Sequence, residues 1–191
     1  MSMPRIAKVV VNIGVGEGGD RLTNAEKVLQ IVTGVTPVRT LGKQQNRDLK
    51  VRVGFPIGCT ATMRDPETIN KFLKDAFWVR ENNIPSWNFD RTGNLSFGIP
   101  DYTDFPDQKY DPDIGIFGMD INIVLERPGH RVSRRRRRSA KVAQSHRTNA
   151  DDARAWFVEN FGIKILMGSR RPSVRGSQCF FCFLFFLPSY L

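Results

Sequence analysis

The stretch Ile57-Gly58-Cys59-Thr60-Ala61-Thr62-Met63-Arg64 decides the fold. Ile57, Cys59, Ala61 and Met63 fall on one side of an extended chain, and Gly58, Thr60, Thr62 and Arg64 on the other. This two-residue period marks a strand buried on one face only. Asp65-Pro66-Glu67 follows at once and supplies an N-cap, a proline at the first helical position and an acidic first turn. Ile69, Phe72, Leu73, Ala76 and Phe77 then recur at helical spacing. A one-sided strand running into an amphipathic helix predicts that the helix covers the apolar face and leaves the polar face open.

The flanking sequence repeats this grammar. Upstream, Ile6–Ile13 is a short Val-rich run that reads as a strand, closed by Gly14-Val15-Gly16-Glu17-Gly18-Gly19. Thr23-Asn24-Ala25-Glu26 has the spacing of a capping box; Leu22, Ala25, Val28, Leu29 and Val32 share one helical face, and Gly34 suits the stop. Thr36–Leu41 reads as a second strand, and Gly42–Val51 as a polar connection. Downstream, Asn94–Ile99 reads as a strand ended by Pro100, and Asp101–Asp113, with five aspartates and two prolines, as an exposed loop. Tyr102, Phe105 and Tyr110 suit that loop to contact with another protein. Met119–Glu126 alternates again, with Met119, Ile121, Ile123 and Leu125 inward. Thr148-Asn149-Ala150-Asp151 opens a third helix through Ala153, Trp156, Phe157 and Phe161 to Gly162. The order predicts an α+β fold, a two-layer sandwich whose mostly antiparallel sheet carries helices on one face and offers the other to a ligand.

Charge names the class of that ligand. The 191 residues carry a net charge of +10, but it is unevenly spread. Residues 1–126 sum to −1 (15 Lys and Arg against 16 Asp and Glu), and residues 127–191 to +11 (14 against 3). Within 127–147 stand Arg127, Arg131, Arg134, Arg135, Arg136, Arg137, Arg138, Lys141 and Arg147 without one carboxylate. Guanidinium groups fork onto phosphates, so such a run favours nucleic acid. It holds too few large apolar residues for an amphipathic membrane anchor. The N-terminus lacks the charged and apolar regions of a signal peptide. The longest apolar run, Cys179–Leu187, is nine residues, and a bilayer-spanning helix needs roughly 20. No membrane partner is expected.

Motifs for catalysis are wanting. Gly14 to Gly19 matches G-x-G-x-x-G between strand and helix, but the acid expected about 20 residues on is missing, because no carboxylate lies between Glu26 and Asp48. No cofactor is expected; nucleotide binding by this turn, in an enzyme, is the first rival reading, and a peripheral membrane protein held by the basic segment and Phe180–Phe186 the second. No metal is expected: Cys179 and Cys182 form a lone C-x-x-C, His130 and His146 lie at no zinc-finger spacing, and the aspartate loop has no EF-hand pattern. Three cysteines suit a reducing compartment, and Cys59 reads as a small core residue. Nothing resembles a nucleophile with its base.

Five segments in one order carry a family resemblance: Ile6-Ala7-Lys8-Val9-Val10-Val11-Asn12-Ile13-Gly14-Val15-Gly16-Glu17; Thr33-Gly34 with Pro37-Val38-Arg39-Thr40; Pro56-Ile57-Gly58 with Thr62-Met63-Arg64; Gly93-Asn94-Leu95-Ser96-Phe97-Gly98-Ile99; and Gly118-Met119-Asp120-Ile121. Together they resemble the universal large-subunit ribosomal protein five family, which binds 5S ribosomal RNA. Arg127-Pro128-Gly129-His130-Arg131-Val132 and the arginines after it are similar to the archaeal and eukaryotic branch, and the absence of eukaryotic features elsewhere points to the archaeal one. The resemblance implies a non-enzymatic constituent of the cytoplasmic ribosome, seated in the central protuberance of the large subunit. It also implies the partners: 5S rRNA, large-subunit rRNA, P-site tRNA, small-subunit ribosomal protein thirteen in the subunit head, and neighbouring central-protuberance proteins.

Position by position, Asn12, Thr62, Arg64 and Asp120 match the family's 5S-contacting sheet residues, and Gly42–Val51 matches the loop that approaches tRNA, with Lys43, Gln44 and Arg47 the choices within it. Asp120 is expected to accept hydrogen bonds from a guanine or cytosine edge or from ribose hydroxyls, while Arg64 and the basic run hold the backbone. Val35 departs from the glutamine of many bacterial members. The resemblance covers residues 4–166, so 1–166 is expected to form the 5S rRNA-binding domain. Residues 167–191, with Arg170, Arg171 and Arg175 and a phenylalanine-rich end, form a tail without counterpart, either a lineage-specific extension or a segment of no function.

Overall fold

The computed structural model describes residues 3–166 except 17, 50 and 107; the tail with its cysteine pair lies outside the described residues. Five antiparallel strands form one sheet in the order β2-β3-β1-β6-β5: β1 (Arg5–Gly14), β2 (Val38–Leu41), β3 (Pro56–Met63), β5 (Leu95–Ile99) and β6 (Met119–Glu126). The helices α1 (Asp20–Thr33), α2 (Pro66–Val79) and α4 (Ala150–Phe161) pack with the sheet around one core, giving the α+β sandwich expected from the alternating strands.

Alternation does the sorting. Val9, Val11 and Ile13 of β1, Cys59, Ala61 and Met63 of β3, and Met119, Ile121, Ile123 and Leu125 of β6 are buried beneath the helices. Phe77 of α2 anchors the layer: its ring lies 5.6 Å from Phe97 of β5 and 5.2 and 6.3 Å from Phe161 and Phe157 of α4. These offset and edge-on pairs bind two helices to one strand.

Two local expectations are corrected, and one small element is added. The first helix starts at Asp20, not at a capping box: Gly19 is its N-cap, with a positive φ of 101°, and Thr23 lies inside, its hydroxyl donating to the Gly19 carbonyl at 3.4 Å. Glycine lets the chain turn sharply off β1 there, so a side-chain cap is unnecessary. The stretch 101–113 is exposed only in part. Tyr102 and Phe105 are buried in the protein's own core, Phe105 stacked on Phe72 at 5.8 Å, and of its aromatics only Tyr110 faces outward. A small parallel pair, β4 (Asn83–Pro85) and β7 (Lys164–Leu166), joins the exit of α2 to the exit of α4. Three-residue strands some 80 residues apart leave no periodic signal.

Candidate nucleic-acid interface

The residues of the uncovered sheet face follow from the register. Asn12 stands opposite Thr60 on one side and Asp120 on the other, and Gly98 lies beyond Asp120. One cross-strand row therefore reads Thr60, Asn12, Asp120, Gly98. The next row reads Thr62, Val10, Asn122, Ser96. Lys8 follows on the same side of β1, and Arg64 is the first residue past β3, with both Arg64 and Thr62 exposed. Three of the four residues expected at 5S RNA thus lie on one face, with Asn12 and Asp120 adjacent and Thr62 one row away, and the exposed Arg64 follows at the sheet's end.

Short side chains dominate this face. A β-carbon at Gly98 would come within 3.3 Å of Asp120 Oδ1, and one at Gly58 would meet the Ile13 carbonyl at 2.7 Å and Thr40 Oγ1 at 3.0 Å. The glycines keep the surface low and the strands close. Thr, Asn, Asp and Ser offer donors and acceptors at fixed height, which suits reading base edges and ribose hydroxyls rather than neutralising phosphate.

The basic segment leaves β6 at Glu126, beside Arg5 of β1, which pairs in register with it. It is shaped rather than extended. α3 (Arg131–Arg134) forms a single turn, Ala140 N–H donates to the Val132 carbonyl at 3.3 Å, and the His130 and His146 rings stack at 6.2 Å. A hydrogen bond of 2.8 Å joins His146 Nε2 to the Pro128 carbonyl. At its far end the buried Thr148 hydroxyl lies 2.8 Å from the Thr92 carbonyl and 3.3 Å from that of Leu125, tying the segment to β6 and to the turn before β5.

Among the described residues, Arg134 and Arg127 meet carboxylates from outside the run. Arg134 is hydrogen-bonded to Glu126, and Arg127 donates to Asp152 of α4 at 2.8 Å and to the Ser145 carbonyl at 3.3 Å. Reading the run alone missed both, because the acids sit on neighbouring elements. Arg135 Nε donates to the Arg138 carbonyl, and residues 133–141 are exposed throughout. Arg136 and Arg137 have no carboxylate partner among the described residues. With Arg5, Lys8 and Arg64 nearby in register, this end of the sheet is strongly cationic.

The loop Gly42–Val51 stands at the opposite end, where β2 turns into β3. Asn46 and Val51 exchange two backbone hydrogen bonds of 3.0 Å, and Gly42 N–H donates to the Phe55 carbonyl at 2.9 Å, so the loop has a fixed base. Lys43, Gln44 and Arg47 are all exposed on it. Beside it, Arg39 of β2 is tied to Glu26 of α1 by two hydrogen bonds, which hold the edge strand to the helix layer. Val35 packs partly buried against the core.

Residues 1–52 match the family model described as ribosomal protein L5, and residues 56–152 match the model for the C-terminus of the same ribosomal family. The two matches meet in the β2–β3 connection, yet β1 from the first pairs with β3 and β6 from the second in one sheet. The large ribosomal subunit protein uL5 of Methanococcus aeolicus is 46% identical over 168 residues, 86% of this chain and 92% of its own. That of Thermoplasma volcanium is 48% identical over 162 residues, 84% and 95% of the two chains. That of Methanosphaera stadtmanae is 43% identical over 165 residues, 86% and 98%. All three come from archaea.

Proposed function

Because the chain belongs to the L5 family of ribosomal proteins, non-enzymatic structural constituents of the large subunit, we propose that its open sheet face binds 5S rRNA and that its arginine-rich segment holds large-subunit rRNA. One observation carries this reading: a polar row of Thr60, Asn12 and Asp120 on an uncovered antiparallel sheet, with a cationic loop fixed at the sheet's end. The face reads and the loop neutralises. RNA is recognised largely through loops, shape and 2′-hydroxyls, which short polar side chains on a rigid surface can meet.

Within the same proposal, Asn12, Thr62, Arg64 and Asp120 contact 5S rRNA. Arg131, Arg135, Arg136, Arg137, Arg138, Lys141 and Arg147 contact rRNA backbone, and Arg127 and Arg134 shape the segment while adding charge to it. Lys43, Gln44 and Arg47 approach P-site tRNA from the β2–β3 loop. The remaining partners are small-subunit ribosomal protein thirteen and the neighbouring proteins of the central protuberance.

The test compares binding of the purified chain to archaeal 5S rRNA and to a length-matched scrambled RNA, at low and near-physiological salt. Bulk electrostatics alone would bind both and lose both as salt rises. A preference for 5S rRNA that survives salt and falls in Arg64→Gln supports recognition. Equal binding to both RNAs at every salt would refute it.

A further inference from the structure

The arginines of residues 134–138 carry equal charge, yet the backbone gives them different tasks. The segment that bears them is closed twice. At its base, Arg127 donates to the Ser145 carbonyl at 3.3 Å, His146 Nε2 is bonded to the Pro128 carbonyl at 2.8 Å, and the Thr148 hydroxyl donates to the Leu125 carbonyl at 3.3 Å. At its neck, Ala140 N–H donates to the Val132 carbonyl and the Ser139 hydroxyl to the Ser133 carbonyl, both at 3.3 Å. Beyond the neck projects a short tip, Arg134-Arg135-Arg136-Arg137-Arg138, exposed at every residue. Each closure reduces the conformations open to the tip before any ligand arrives.

The tip itself is not slack. The single turn of α3 ends at Arg135, whose backbone is extended at φ −69° and ψ 144°. Further along, Arg138 takes φ 53°, in the left-handed region. A residue with a side chain rarely adopts that conformation, and it persists there only where surrounding bonds enforce it. One such bond lies inside the tip: Arg135 Nε donates to the Arg138 carbonyl at 2.8 Å. A guanidinium presents its N–H donors in a rigid fork. The bond to Arg138 uses the Nε side of that fork and leaves the end formed by Nη1 and Nη2, on an exposed residue. Arg136, in the middle of the same turn, has no carboxylate partner among the described residues.

We propose that Arg135 is the positioning residue of this tip: through Nε it fixes the turn that ends at Arg138, and it holds its own Nη1 and Nη2 toward RNA phosphate, so that Arg135, Arg136 and Arg137 engage the backbone already ordered. The inference rests on the reading that the arginine segment holds rRNA backbone, and it adds what one arginine does that its neighbours do not. A lysine could not take its place. An ammonium is a single point of charge: one that bonded the Arg138 carbonyl would be withdrawn from phosphate, and one that met phosphate would release the turn. Side-chain and loop ordering that is complete in the free protein opposes binding no further.

The test compares Arg135→Lys with Arg136→Lys in the full chain, by fluorescence anisotropy on labelled 5S rRNA and on a length-matched scrambled RNA across a range of salt, together with NMR of the arginine Nε–H groups in the free protein. Both variants keep the net charge, so the slope of log K against log salt is expected to stay at the wild-type value in each. Arg135→Lys is expected to bind both RNAs about fivefold more weakly than Arg136→Lys at every salt, the loss that ordering a long side chain and its turn on binding brings. In the free protein the Arg135 Nε–H is expected to exchange with water more slowly than that of Arg136. Both replaced side chains are at the surface, so both urea midpoints should match the wild type. Equal affinity of the two variants overturns the proposal, as does a changed salt slope in Arg135→Lys, a urea midpoint lowered in that variant alone, or an Arg135 Nε–H that exchanges as fast as that of Arg136. A wild type without preference for 5S rRNA would refute recognition and leave the positioning role standing, since that role is judged on both RNAs. Failure to bind either RNA would overturn both.

Discussion

Replacing Arg136, Arg137 and Arg138 together by glutamine gives the sharpest test of how the basic segment works. All three are exposed, and Arg136 and Arg137 have no carboxylate partner among the described residues. Each phosphate contact contributes about 0.7 to 0.9 to the slope of log K against log salt, so losing three lowers that slope by about 2 to 3. Over a fourfold rise in salt, the wild type therefore loses roughly 20- to 40-fold more affinity than the variant. The contrasting pair is Arg127→Gln with Arg134→Gln. Those guanidiniums already meet Asp152 and Glu126, so removing them uncovers two acids, and the change falls on folding as well as on binding. An exposed pair of this kind contributes up to about 1 kcal/mol. The assay is fluorescence anisotropy with labelled 5S rRNA at five salt concentrations, alongside urea denaturation of each variant. An unchanged slope in the triple variant, or the same slope change per charge in both variants, would refute the division between phosphate-facing and internally paired arginines.

Further outcomes follow from the sheet. Gly58→Ala forces a methyl against the Ile13 carbonyl at 2.7 Å; it is expected to cost about 3 kcal/mol, which at a slope of roughly 2 kcal/mol per molar lowers the urea midpoint by about 1.5 M. Gly14→Ala meets nothing within 4 Å and should cost under about 1 kcal/mol in the same assay. Phe77→Ala removes the ring shared by β5 and α4 and should cost about 3 to 5 kcal/mol, read as a fall in Tm. Burial, with a smaller contribution from Glu26, pushes the Cys59 thiol up from 9.0 to about 12. The unfolded thiol ionises first, so this contribution to stability is intact below about pH 9 and is lost as pH rises toward 12; the fall in urea midpoint between pH 8 and 10 should be smaller in Cys59→Ala.

The strand-to-helix passage from Ile57 to Phe77 was legible because a buried face imposes period two on one element and period 3.6 on the next, although Asp65, which stands at the N-cap, makes no side-chain capping hydrogen bond. The same held for β6, whose inward residues are the four that alternation selects. What stayed hidden was set by contacts distant in sequence. Tyr102 and Phe105 sit among aspartates, and nothing local says that Phe72 of α2 waits for the second ring. The acids opposite Arg127 and Arg134 lie on α4 and β6, outside the run that looked carboxylate-free. The polar faces of β1, β3 and β6 were readable strand by strand, but the row that sets Asn12 between Thr60 and Asp120 needed the register, which no single strand encodes.

A carboxylate in the middle of an RNA-binding face is easier to understand once the charges are mapped along β6. Asp120 lies near its start, among Thr60, Asn12 and Gly98, and the arginines begin past its end. If affinity and recognition were carried by the same side chains, an aspartate would oppose both. Here they are separable: phosphate attraction from the basic segment is independent of base identity, and the short polar rows contribute little net charge. Asp120→Asn should then leave the salt slope within about one charge of wild type while narrowing the preference for 5S over scrambled RNA, because an amide presents donors where the carboxylate only accepts. Substitutions in the arginine segment should do the reverse, flattening the slope and sparing the preference. A variant of either class that moved both quantities in proportion would mean that face and segment bind RNA as one undivided surface.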